Sequence, residues 1–132
     1  MLIDTNIFLE FLLEQEKAEK AFLFVSSVSS KEKSRAYISD FNVDSILIAM
    51  AHNNSKIEKM KEFLNNIINS EGLIVYDITI GDRLKAVKFM EKYKLDYEDA
   101  LTLQAAISTK SEEIVSFDKH FDNIKEIKRI EP

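Results

Sequence analysis

Short runs rich in β-branched and aromatic residues alternate with longer stretches of helical apolar spacing, and the alternation runs the length of the chain. The strand-like runs are "MLID" at the start, "RAYIS" (35–39), "GLIVYDI" (72–78), "EIVSF" (113–117) and "IKRIE" (127–131), the last read as a short edge strand. Helical spacing covers Asn6 to about Ser27 with a break near Gln15, then 41–52 through Val43, Ile46, Leu47 and Met50. It resumes over 55–69, from about Ile80 to Tyr93 with Thr79 as a cap, and from about Tyr97 to Lys110. This order predicts an α/β sandwich with a mainly parallel sheet, because parallel strands need crossovers of helical length. Only two glycines and one proline, the last residue, occur among 132 residues, which favours regular elements with short connections.

No repeat, low-complexity tract or linker divides the chain, so residues 1–132 read as a single domain. The absence of cysteine rules out disulfides and a cysteine zinc site. The apolar run "IFLEFLL" contains Glu10 and is far shorter than the roughly 20 residues of a membrane span. With no basic leader before it, a cytoplasmic protein without membrane association is expected. A net charge of −5 argues against a generic nucleic-acid coat, whose affinity comes from basic surface. It is compatible with an enzyme whose metal ions offset charge at the site.

Two acids stand at the carboxyl ends of predicted strands, Asp4 after "LI" and Asp118 after "IVSF". Ligands gather at such ends in open parallel sheets. Either acid taken singly reads as a helix cap. Asp96 reads as the cap of the helix that follows it, and Asp99 lies three residues on, in the first turn beside Ala100. Asp40 and Asp44, four residues apart, share one helical face. Asp40 suits a cap, whereas Asp44 either borders the apolar stripe or is simply solvated. Two bare carboxylates about 4 Å apart repel by roughly 4 kcal/mol at an effective dielectric near 20. A converging set therefore needs raised pKa values or a cation, and all-oxygen ligation suits Mg²⁺ or Mn²⁺. His52 and His120 read as surface or helix-end residues, His120 being the more interesting because it lies close to Asp118. Lysines 85, 88, 92 and 94 read as a solvated face interleaved with Glu91.

"LIDTNIFLEFL", "LDYEDALTLQAA" and "IVSFDKHFDNI" with the closing "IKRIEP" resemble, in order, the first, third and last motifs of the PIN-domain family. The resemblance spans essentially the whole chain and is greatest to the VapC-type toxin ribonucleases. It implies a three-layer α/β/α sandwich and divalent-metal-dependent cleavage of RNA by water activated at an aspartate cluster. It also implies a homodimer and an antitoxin protein partner. Asp4, Asp99 and Asp118 would be the metal-site carboxylates, with Asn6 and Ser116 as polar supports. The family's second motif places a Glu at or beside Ser45, and this chain has Asp44 one place earlier. Either Asp44 substitutes in a shifted register, or Asp40 supplies the acid, or the site is one ligand short. In the last case the chain would be a catalytically degraded PIN-fold module that binds RNA or a protein without cleavage. A phosphoryl-transfer enzyme with Asp4 as nucleophile is a weaker reading, because Asn6 stands where Asp-x-Asp phosphatases need a second acid.

Overall fold

The computed structural model describes residues 1–30 and 35–132. In chain order the elements are β1 (Leu2–Ile3), α1 (Thr5–Leu12), α2 (Ala18–Ser29), β2 (Ala36–Ser39), α3 (Asp40–His52) and α4 (Ile57–Ile68). There follow β3 (Leu73–Tyr76), α5 (Ile80–Tyr93), α6 (Tyr97–Ser108), β4 (Glu113–Val115), a 3-10 turn (Lys119–Asn123) and β5 (Lys128–Ile130). The sheet order is β3-β2-β1-β4-β5 and every pairing is parallel. The helical break near Gln15 and the edge position of β5 agree with the sequence expectation.

The two-residue β1 shows how the three layers arise. Neighbouring strand residues point to opposite faces. Leu2 accordingly joins a core made with α5 and α6, through Ala86, Leu101 and Leu103. Ile3 joins the other core, with Ile7, Phe8, Val25, Ile46, Met50 and Phe63 from α1 to α4. The register repeats this split, since Leu2 pairs with Ile114 and Ile3 with Val115, which fall in the same two cores. Four helices thus cover one face and two the other, giving the α/β/α sandwich. None of the described helices is long and apolar enough to cross a membrane.

β1 is central. From it the chain moves outward to β2 and β3, then crosses to β4 and β5 on the other side. The carboxyl ends of β1 and β4 therefore flank the point where strand order reverses, the usual place for a crevice in such sheets. Capping follows the sequence closely. Thr79 and Asp82 form a reciprocal capping box on α5, and the Asp96 side chain accepts from Asp99 N at 2.8 Å. With so few glycines, α5 ends on Lys94 in the left-handed region at φ 57°. The Lys94→Gly variant is expected to gain about 0.5–1 kcal/mol in urea denaturation, because glycine adopts that conformation without a Cβ clash.

Candidate active site

Asp4 ends β1 and caps α1 in the same position. Its Oδ1 accepts from Thr5 N at 2.7 Å, and its Oδ2 accepts from Asn6 Nδ2 at 2.8 Å and Ser116 Oγ at 2.7 Å. Ser116 follows β4 and is fully buried. Its Oγ donates to Asp4 while accepting from Asn6 Nδ2 at 2.9 Å and from Asp118 N at 2.9 Å. Asn6 Oδ1 in turn accepts from Phe117 N at 3.1 Å. Asn6 and Ser116 thus tie the end of β1 to the end of β4 and aim both acids into the crevice between them.

α6 brings the third acid. Asp99 lies in its first turn and is buried, as is every residue from Asp99 to Ala106. Beneath these groups, Asn42 of α3 donates through Nδ2 to Thr5 Oγ1 at 2.7 Å and to Thr102 Oγ1 at 3.2 Å. The amino ends of α1 and α3 and the middle of α6 are held together by that one buried amide. Among the described residues no buried side-chain nitrogen or oxygen lacks a partner.

The electrostatics reflect this crowding. Burial raises the Asp4 carboxyl to about 7, opposed by the Ser116 hydrogen bond and assisted by Asp99 and Glu98. Burial also raises Asp99, opposed by its hydrogen bond to His120 and assisted by Asp96 and Asp118. His120 is raised by its hydrogen bond to Asp99 and by the Asp118 charge. Its Nδ1 lies 3.0 Å from Asp99 Oδ2 and 3.2 Å from Asp118 Oδ1. Donor atoms of Asp99, Asp118 and His120 all fall within 4.8 Å of one another, a group that could hold a metal ion. Hard carboxylate oxygens crowded this closely fit a divalent cation, which would relieve their mutual repulsion.

Of the residues singled out in the sequence, Asp4, Asn6, Ser116, Asp99 and Asp118 converge. Asp44 does not. It is exposed on α3, two residues from Asn42 and from Ile46, both fully buried. At 100° per residue that places it about 200° from each, on the far side of the helix. Bordering the apolar stripe on a wheel was compatible with either side, and packing chose solvent. Asp40 is half-buried, and its Oδ1 accepts from Phe41 N at 2.7 Å and Ile78 N at 3.1 Å, so it joins α3 to the loop after β3. Ser39, one residue before it, is the α3 cap.

Three residues escaped sequence reasoning. His120, expected at the surface or a helix end and marked only by its closeness to Asp118, is exposed yet hydrogen-bonded through its ring to Asp99 and 3.2 Å from Asp118. Its signal was the Asp-x-His spacing: Asp118 accepts His120 N at 2.8 Å and folds the ring back over the site. Glu98, half-buried, lies near enough to raise Asp4. Lys17 places its ammonium 4.1 Å from the centre of the Phe117 ring. Of the α5 lysines, Lys92 is paired with Glu126 at 2.7 Å.

Comparison with known proteins agrees with this architecture. No curated protein matches the chain. A toxin–antitoxin complex from Klebsiella pneumoniae is similar in structure, with a TM-score of 0.72 and 17% identity over 96% of this chain and 93% of that one. VapBC2 from Rickettsia felis, solved bound to a DNA fragment from its promoter, gives a TM-score of 0.76 at 12% identity, covering 99% and 97%. VapC20 from Mycobacterium tuberculosis, described as a sarcin-ricin loop cleaving toxin, gives 0.76 at 12%, covering 96% and 98%. At such identities the likeness is one of fold. The family model described as the PIN domain matches residues 1–127, and the chain belongs to the PIN-domain family.

Proposed function

We propose that this chain, as one domain over residues 1–132, is a divalent-metal-dependent endoribonuclease and the toxin of a toxin–antitoxin pair. The observation that carries the reading is the grouping of donor atoms of Asp99, Asp118 and His120 within 4.8 Å of one another at the strand-order reversal, with Asp4 joined to Asp118 through the Ser116 hydroxyl and braced by Asn6. Asp4, Asp99 and Asp118 would hold Mg²⁺ or Mn²⁺. When bound, such an ion lowers the pKa of water and offsets charge developing on a phosphodiester. The chain's own contribution is positional. Ser116 and Asn6 keep the Asp4 carboxylate in one orientation, and Asp118 is held by its backbone to the same hydroxyl.

The toxin reading is supported by structural neighbours that are toxins or toxin–antitoxin complexes. A protein partner is further supported by a trough of about 710 Å³ in which Phe11, Phe22, Phe63 and Ile67 alternate with polar residues such as Glu62 and Asn66. A homodimer and a cytoplasmic location complete the proposal. Asp44's position favours one second reading, a degraded PIN module that binds RNA or a partner without cutting.

Cleavage of a structured RNA by purified protein tests the choice, with and without chelator, beside the Asp118→Asn variant. Loss of about 100-fold or more in rate is expected for both chelator and variant. Equal cleavage in all samples would trace the activity to a contaminant. Absence of cleavage together with tight RNA binding would favour the binding module.

A further inference from the structure

We propose that His120 supplies a nitrogen donor to the metal centre alongside Asp99 and Asp118, giving the centre a preference for Mn²⁺ over Mg²⁺. This rests on the reading above that the acidic group holds a divalent cation. The imidazole is not a bystander on a loose loop. Asp118, at the end of β4, accepts His120 N and starts the 3-10 turn, and Phe121, the next residue, is fully buried in the α5–α6 core. These two restraints, one polar and one apolar, fix the turn on either side of the ring.

The donor spacing is the second support. Cis ligands of an octahedral ion, each about 2.1 Å from it, stand about 3 Å from one another. His120 Nδ1 stands 3.0 Å from Asp99 Oδ2 and 3.2 Å from Asp118 Oδ1. The three donors are thus already gathered in the metal-free chain, where Nδ1 shares a hydrogen with Asp99 that an ion would replace. Asp44 cannot add a further donor from α3, since it is exposed on the other side of that helix. Imidazole is a borderline donor that favours first-row transition ions, whereas Mg²⁺ prefers oxygen ligands and its own water. An all-carboxylate set would discriminate little between Mg²⁺ and Mn²⁺.

The chain has two histidines, so the test is clean. Pulsed electron paramagnetic resonance of Mn²⁺ bound to the full chain should show modulation from one imidazole nitrogen. It should change when the protein carries ¹⁵N-labelled histidine, and persist in His52→Gln. Calorimetric titration of His120→Ala with Mn²⁺ and Mg²⁺ should show the Mn²⁺/Mg²⁺ affinity ratio falling about tenfold. Tightly bound Mn²⁺ with no histidine modulation in the parent would overturn the proposal, and so would an unchanged affinity ratio in His120→Ala. Failure of the parent to bind Mn²⁺ at all would instead overturn the metal reading beneath it. The isotope-labelled parent separates these outcomes without any substitution.

Discussion

Asp82→Ala is expected to lose about 3–4 kcal/mol of stability, although the residue lies outside the candidate site. The Asp82 carboxylate accepts from Tyr76 OH at 2.8 Å, Thr79 N at 3.0 Å, Thr79 Oγ1 at 2.7 Å, Gln104 Nε2 at 3.2 Å and Ser108 Oγ at 2.6 Å. Burial pushes this carboxyl up, but hydrogen bonds from Ser108, Thr79 and Tyr76 outweigh it and hold the group well below the usual carboxylate range. Truncation leaves several donors without a partner, each a desolvation penalty of about 1–3 kcal/mol where it is buried. Gln104 and Ser108 lie on α6, so the same change loosens the helix that carries Asp99. Urea denaturation measures the loss as a lower midpoint at unchanged slope. A loss below about 1 kcal/mol would mean that the network is not a structural hub.

The second large effect is on pH dependence in the presence of chelator. A carboxyl raised by burial holds its proton more tightly when folded than when unfolded. The stability Asp4 contributes is thus complete below about pH 4 and is lost as pH rises through its folded value of about 7. Displacement from 3.8 to about 7 corresponds to about 4 kcal/mol at most. Asp99, also raised by burial, acts with the same sign above its ordinary range. Asp82, held low, acts with the opposite sign, and its contribution is lost only as pH falls below about 4. Between about pH 4.5 and about pH 8 the metal-free protein should lose stability, and Asp4→Asn should flatten that slope by about 2–4 kcal/mol. Mn²⁺ should restore stability at the alkaline end, because it binds the folded chain alone. Superimposable pH profiles for parent and Asp4→Asn would remove Asp4 as the source of the slope.

Much of this site was legible before any fold was known. Asp4 and Asp118 each follow a strand-like run, and Asp99 follows a capping residue, so three local patterns located three acids. Asn6 and Ser116 came from the motif resemblance, and the structure places both on Asp4 Oδ2. His120, Glu98 and Asp44 were beyond such reading. A helical wheel gives the apolar stripe of α3 but not how far the helix is rotated about its axis. That rotation is set by Ile46 and Met50 packing against the sheet and by the Asn42 amide reaching Thr5 and Thr102. Asp82 was likewise hidden, since its partners Gln104 and Ser108 belong to another helix more than 20 residues away.

The sequence by itself determined the order and kind of the elements, their caps, and which acids end which strands. These are short-range properties, governed by periodicities of two or 3.6 residues and by side chains that satisfy nearby backbone groups. Only the tertiary structure decided which ends meet. Pairing β1 with β4 brings Ser116 to Asp4 across 112 residues and sets the Asp118 turn beside Asp99. That long-range register, fixed by burying Leu2 and Ile3 in opposite cores, admits His120 to the site, while the packing of α3 on the sheet leaves Asp44 in solvent.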